Sequence, residues 1–379
     1  MASRNRITIL GAGAGGCTLA FHLTKAGYEV MLYQDSGHLS SLELLIKTRE
    51  IKAVERFDGY HGALYGTAQI AQFTTNIKQA VLFSNVLIMV VPAYAQLTIF
   101  KAALPYLSRE QILLSLPGNF AIFDYLKCIR ESKVKVESPL THLLDTPVPC
   151  ILAESSIIPY ACRKVKDNTI FIGAIKQFIY AGVFPPREVD ETLDRLSKIF
   201  QATNVRIERS HILETPFYNS NLILHPTIVL YNAGHIKCQN KGFHFYKDGV
   251  SPLVCRIFEA LDREFLEVGH TIGFNLEPFT CYHRRYYGDK SINTTTLNAF
   301  FQGANFLHFV KAPNDLNGRF ISEDLQYVLL PIIKYLAVRN NIPTPVADSL
   351  IASIQCMLGN KVHPLRDIPY DEWEAIASQ

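Results

Sequence analysis

The sequence predicts a chain of two classes, an α/β half over residues 1–209 and an all-α half over residues 210–379. Three observations carry that division. A short apolar strand near the N-terminus runs into a glycine-rich turn and a helix. Continuous apolar runs follow it, of the length expected for strands buried on both faces. Beyond about residue 211 the apolar residues instead recur at helical spacing.

Taken in order, Ile7-Thr8-Ile9-Leu10 leads into Gly11-Ala12-Gly13-Ala14-Gly15-Gly16, a G-x-G-x-x-G at Gly11, Gly13 and Gly16. The stretch CTLAFHLTKAG places Leu19, Ala20 and Leu23 on one helical face and closes at Gly27, after which residues 29–33 read as a second strand. The three glycines serve different ends. The first permits the tight turn, the second lets the backbone approach a pyrophosphate, and the third lets helix and strand pack closely. The helix N-terminus then offers unpaired N–H groups to the phosphates, with Ala14 of the turn counted among the cofactor-binding residues. In this strand–turn–helix–strand setting the motif predicts a Rossmann dinucleotide-binding domain with NAD or NADP as cofactor. Where an acid would bind the adenosine ribose stands Gln34, followed by Asp35, and no Arg or Lys lies between Gln34 and Glu43. That favours NAD and leaves NADP open.

Residues 86–91 (VLIMVV) and 111–116 (QILLSL) are the next buried strands, ending at Pro92-Ala93 and Pro117-Gly118, with a helix-like segment after Pro92-Ala93 as far as Leu104. Ligands in doubly wound sheets sit beyond the carboxyl ends of the strands. Pro92 and Pro117-Gly118 are therefore candidates for the nicotinamide neighbourhood, with ordinary strand-ending turns as the alternative. Strand-like runs at 149–153, 169–172 and 205–207 and a helix over 189–200 carry this half to its expected boundary near Ser210.

In the second half, PLVCRIFEALDREFLEVG (252–269) puts Val254, Phe258, Leu261, Phe265 and Val268 on one helical face, and residues 324–338 and 345–358 repeat the pattern. A nucleotide domain joined to a helical one implies a cleft whose chemistry comes from helical-domain side chains facing the nicotinamide. The polar residues out of place are Asn219, His225 and Asn232 in NSNLILHPTIVLYNAG, and Arg319 and Asp324 further on. Each has a bland reading: a satisfied core histidine, backbone-paired asparagines, a surface ion pair, a helix cap. Glu323 is the rival carboxylate beside Asp324.

These segments resemble the octopine/nopaline-type opine dehydrogenases. The resemblance rests on NSNLILHPTIVLYNAGHI, on Gly242-Phe243-His244-Phe245-Tyr246 with Asp248-Gly249 and Ser251-Pro252, and on Asn317-Gly318-Arg319-Phe320-Ile321-Ser322-Glu323-Asp324. Pro343-Thr344-Pro345 and Pro159-Tyr160-Ala161-Cys162-Arg163 agree with it, in the right order along the chain. The resemblance implies a Rossmann domain followed by a helical opine-dehydrogenase-type domain. It implies reductive joining of an L-amino acid to an α-keto acid such as pyruvate, through an imine reduced by NAD(P)H. It makes His225 the general acid/base, Asp324 its partner and Arg319 the carboxylate clamp, while Asn232 and Asn219 either orient the substrate or pair with backbone. The residue types suit those roles: histidine titrates nearest neutrality, a carboxylate fixes its tautomer, and an arginine fork matches a carboxylate. Phe320 where the family often has tyrosine, Leu325-Gln326 after the acidic pair and Asn119-Phe120 after Pro117-Gly118 depart from the pattern and leave the amino acid open.

Two rival functions remain. A ketopantoate-type or 2-hydroxyacid dehydrogenase would need a helical-domain lysine, and only Lys237 and Lys241 lie near the key stretch. A non-catalytic NAD(P)-sensing protein would not need both His225 and Asp324. Composition narrows the partners. A net charge of +3 without a basic block argues against nucleic acid, and the absence of a long apolar run argues against a membrane span. Eight cysteines without zinc spacing read as reduced, mostly buried thiols of a cytoplasmic protein. Monomer and homodimer both remain open.

Overall fold

The computed structural model describes residues 5–132, 142–143, 146–238, 243–288, 296–313, 316 and 318–378. Lys241, Gly242 and Asn317 lie outside them. The chain forms two compact units, Met1–Thr215 with Glu374–Gln379, and Pro216–Trp373. Residues 210–215, expected in the second half, go with the first for a physical reason. The Ser210 N–H donates to the Ala181 carbonyl at 2.9 Å, and the Ile212 backbone lies so close over Gly182 that a Cβ there would come within 2.4 Å of it.

An eight-stranded sheet forms the frame of the first unit. Its spatial order is Arg206–Arg209, Phe178–Phe184, Ile151–Ser155, Ile112–Ser115, Val86–Met89, Arg6–Leu10, Glu29–Tyr33, Gln72–Thr74. All neighbours are parallel except Ile151–Ser155 with Phe178–Phe184. Val86–Met89 and Ile112–Ser115 are buried at every position, as continuous apolar runs require. The chain order reverses around Arg6–Leu10, which has Glu29–Tyr33 on one side and Val86–Met89 on the other. Such a switch point is where open α/β sheets hold ligands.

A second sheet, ordered Tyr160–Lys166, Thr169–Ile175, Glu50–Ala53, Gly66–Gln69, packs against the helix Ala14–Lys25. The run at 169–172 belongs to this sheet, and Tyr160–Lys166 beside it has no apolar alternation to betray it. His22 Nδ1 meets the Tyr160 hydroxyl at 3.1 Å, fastening helix to sheet.

The second unit is helical. Its long helix, Pro252–Thr271, starts where the sequence signals it: Ser251 Oγ accepts the Val254 N–H at 3.3 Å and Pro252 takes the first turn. It packs on the helices Asn221–Tyr231 and Pro345–Leu358. The helical pattern over 324–338 is present but wound wide. The Leu329 N–H reaches the Asp324 carbonyl and the Val338 N–H the Ile333 carbonyl, each five residues back. Pro331 lies between the two wide segments Leu325–Leu329 and Ile332–Ala337. It lacks an N–H and crowds the carbonyl four residues back, a conflict that wide winding relieves. Among the described residues no helix is long and apolar enough to cross a membrane. The eight cysteines are thiols outside any disulfide, and Cys238 and Cys356 are exposed rather than buried.

Asp262 on the long helix ties it to the next one, since both carboxylate oxygens lie 3.0 Å from the Phe279 N–H. Burial pushes its pKa from 3.8 up to about 6, against the lowering effects of that bond and of Arg263. The folded state therefore holds the proton more tightly than the unfolded chain. This contribution to stability is complete below pH 3.8 and lost as pH rises to about 6, amounting to at most about 3 kcal/mol. In denaturation midpoints measured across that window, Asp262→Asn, which keeps an acceptor for Phe279, is expected to flatten the decline. An unchanged slope in the variant would remove Asp262 as its cause.

Candidate active site and nucleotide cradle

In the first unit the glycine turn has the geometry its spacing calls for. Gly11 sits at φ +117°, and a Cβ there would come within 2.4 Å of the Val90 carbonyl oxygen. A Cβ on Gly16 would lie 1.8 Å from the Gly11 carbonyl oxygen, which shows how closely helix and strand meet. Gly13 is different: a Cβ there meets nothing within 4 Å, so its freedom serves open space in front of the helix that begins at Ala14. That open strip at a helix N-terminus fits a dinucleotide pyrophosphate. A cavity of about 460 Å³ adjoins it, lined among others by Gly11, Ala12, Gly13, Gln34, Asp35 and Pro92.

Gln34 Oε1 accepts the Ala12 N–H at 2.8 Å. Asp35 Oδ1 accepts the Gly37 N–H at 2.8 Å, so this acid also caps its own turn. Pro92 immediately precedes the helix Ala93–Ala103. Pro117 is held by its carbonyl, which accepts from Gln96 Nε2 at 2.7 Å. Gly118 abuts Glu154 so tightly that a Cβ would lie 2.2 Å from the carboxylate. Glu154 in turn accepts the Phe120 and Ile122 N–H groups at the start of the helix Ala121–Glu131. Lys164, to which no sequence motif points, reaches the same cavity and donates from Nζ to the Ala12 carbonyl at 3.3 Å.

In the second unit His225 lies on Asn221–Tyr231, just before Pro226, and is 6% exposed. Its Nδ1 is 2.7 Å from Asp324 Oδ2, and its Nε2 is 2.9 Å from the Tyr246 hydroxyl. A carboxylate only accepts, so Nδ1 carries the proton and the neutral ring offers Nε2 as the acceptor. Burial first, then the neighbouring Tyr287 and Asp324, raise the Tyr246 pKa well above 10. The phenol thus stays protonated and donates to Nε2, or accepts from it once the ring is charged. Phe320 lies tilted by 31° against the imidazole with ring centres 4.1 Å apart, and Phe245 presents its edge at 5.6 Å.

Asp324, not Glu323, is the histidine's partner. Glu323 is engaged instead by Arg319, whose Nε lies 2.9 Å from it while the arginine side chain is 69% exposed. Asn232 donates its amide hydrogens to the Ile228 and Gly249 carbonyls at 2.9 and 3.0 Å. Asn219 accepts the Asn221 N–H at 3.1 Å, at the start of the histidine helix. Both asparagines therefore fasten backbone around the histidine. Arg285 pairs with Glu277, and Arg284 Nε donates to the Thr280 carbonyl.

Tyr246 is the residue that spacing alone missed. The Phe245 N–H donates to the Val310 carbonyl at 2.8 Å, and His244 bridges to Lys311. Asp248 accepts the His244 N–H at 2.7 Å and closes the turn. These bonds fasten the turn FHFYKDG, and Tyr246 stacks on Phe301 at 5.9 Å. The clustering of aromatics in that segment was the available signal, but pairing with residues so far along the chain cannot be read from one sequence.

Comparison with known proteins bears on both units. Residues 208–358 match the family model described as NAD/NADP octopine/nopaline dehydrogenase, alpha-helical domain. Residues 6–134 match the NAD-dependent glycerol-3-phosphate dehydrogenase N-terminus. An opine dehydrogenase of Arthrobacter sp. (strain 1C) is 24% identical over 352 residues, covering 92% of this chain and 90% of that protein. An octopine dehydrogenase solved with NADH and agmatine superposes with a TM-score of 0.71 at 19% identity, over 93% of this chain and 89% of that one. A yersinopine dehydrogenase with bound NADP+ gives 0.63 at 15% identity, covering 98% of each chain.

Proposed function

For a chain that belongs to the octopine/nopaline-type opine dehydrogenases and is an NAD(P)-dependent oxidoreductase, we propose reductive condensation of an amino acid with an α-keto acid such as pyruvate. The amine and keto acid lose water to give an imine, hydride adds to the imine carbon, and the product is a secondary amine. The nicotinamide, when bound, supplies the hydride. Gly13 and the helix start at Ala14 would hold the pyrophosphate, in a turn that Gly11 and Gly16 make possible by close packing, and Pro92 borders the same cavity.

The observation that carries this reading is the buried His225–Asp324 pair, with its 2.7 Å bond. Proton movement at the reacting nitrogen and oxygen needs a group that can both give and take a proton, and His225 does so at Nε2. Asp324 keeps the proton on Nδ1 and stabilises the imidazolium that forms. Tyr246 orients Nε2 from the opposite side. Phe320 and Phe245 wall the imidazole with apolar surface and so strengthen its bond to Asp324. Arg319, its Nε braced by Glu323, presents a guanidinium that binds a substrate carboxylate.

The test is nicotinamide oxidation followed at 340 nm with pyruvate and pooled amino acids. Consumption is expected only when both co-substrates are present. Consumption with a keto acid alone would overturn the condensation and point to a hydroxyacid dehydrogenase, and silence across keto acids would leave nucleotide binding without this reaction.

A further inference from the structure

We infer that Lys164 and the amide of Gln34 form a donor set for a phosphate on the adenosine 2′-oxygen, so that this chain takes NADPH in preference to NADH. The inference rests on the dinucleotide cradle and is independent of the condensation proposed above.

Gln34 stands at the end of the second strand, where an acid would accept the ribose 2′-hydroxyl and repel a phosphate. Its carbonyl oxygen accepts the Ala12 N–H at 2.8 Å. A backbone N–H can only donate, so the amide orientation is settled and the NH2 is the end left for a ligand. Lys164 approaches the same residue from the other side, its Nζ 3.3 Å from the Ala12 carbonyl. It makes no ion pair with any described carboxylate, and its remaining ammonium hydrogens have no acceptor among the described residues. One residue, directly after the first glycine, is thus gripped through its backbone by two side chains that both present donors.

Other groups around the cavity are consistent with this. Ser41 and His38 line it and add two further donors. Asp35 is the acid that lines it. Its Oδ1 already accepts the Gly37 N–H at 2.8 Å, so one of its two oxygens is turned to its own backbone. A ribose hydroxyl can accept from an ammonium and an amide NH2 only as a neutral oxygen. A phosphate gains charge-assisted hydrogen bonds to both.

Lys164 reaches this place through the second sheet. The strand Tyr160–Lys166 packs along the helix Ala14–Lys25 and is pinned there by the bond between Tyr160 and His22. Four residues on from that anchor, the strand delivers Lys164 beside the glycine turn.

The deciding measurement is calorimetric binding of adenosine 2′,5′-bisphosphate and of adenosine 5′-monophosphate to the full chain, wild type and Lys164→Met. The bisphosphate is expected to bind roughly 10–100-fold more tightly to the wild type. Lys164→Met should remove most of that ratio while leaving the monophosphate affinity in place, and Gln34→Glu should move the preference towards the monophosphate. Equal affinities in the wild type would overturn the inference, and that comparison stands even if a variant fails to fold. Equal weakening of both nucleotides by Lys164→Met would also overturn it, by assigning the lysine to the turn itself. A chain unable to condense keto acid and amine would leave these affinities unchanged, so the two readings fail separately.

Discussion

His225→Ala is expected to lower turnover by about 10²–10⁴-fold, the usual contribution of general acid–base catalysis, while nucleotide binding by the first unit persists. The imidazole is buried, bonded at both nitrogens and packed against Phe320, so alanine also opens a cavity. Asp324→Asn separates the effects because it conserves volume. An asparagine facing Nδ1 can donate as well as accept, so the ring is free to adopt the other tautomer, with the proton on Nε2. Turnover should then fall nearly as far as in His225→Ala, with little change in folding midpoint and with KM less affected than kcat. If Asp324→Asn keeps near-normal turnover, the pair is a structural bond and the catalytic reading of His225 loses its support.

Gly16→Ala is expected to destabilise the first unit by about 3 kcal/mol or more and to abolish nucleotide binding with it. Its Cβ would sit 1.8 Å from a backbone oxygen, and backbone cannot swing aside as a side-chain tip can. Gly13→Ala is the contrast. A Cβ there touches nothing within 4 Å, so folding should be unaffected while dinucleotide affinity falls, because the methyl occupies the strip in front of the helix. Denaturation midpoints and calorimetric affinities on the two variants separate a packing glycine from a ligand glycine. Equal behaviour of the two would contradict the division of labour drawn from their surroundings.

Much of this is legible in the sequence alone. The glycine spacing and the runs VLIMVV and QILLSL announce the parallel sheet because continuous burial needs continuous apolar sequence. The strand Tyr160–Lys166, YACRKVK, does not announce itself, since it is half-exposed at the edge of the second sheet and shows no apolar alternation. That omission matters for the cofactor. A search for a cation between Gln34 and Glu43 finds none, yet Lys164 reaches the Ala12 carbonyl from far along the chain. In the helical unit, His225 and Asp324 are legible as residues, and their 2.7 Å bond joins positions 99 residues apart. Arg319 and Asn232 are legible as unusual, and Glu323 and Ile228 lie four residues from them at helical spacing, but the Gly249 carbonyl that holds Asn232 emerges only from packing. Polar residues near a catalytic pair are often there to hold backbone, and sequence does not separate that duty from contact with substrate.

The wide winding after Asp324 also makes chain length a determinant of the site. Successive residues of an α-helix are rotated by about 100° from one another. The wide turn accommodates an additional residue between Asp324 and the packed face around Leu329 and Ile332. A relative lacking one residue there could wind as an ordinary helix and bury the same apolar side chains, yet its carboxylate would be turned away from the histidine. Register, and not only residue identity, is what an alignment of this segment has to preserve.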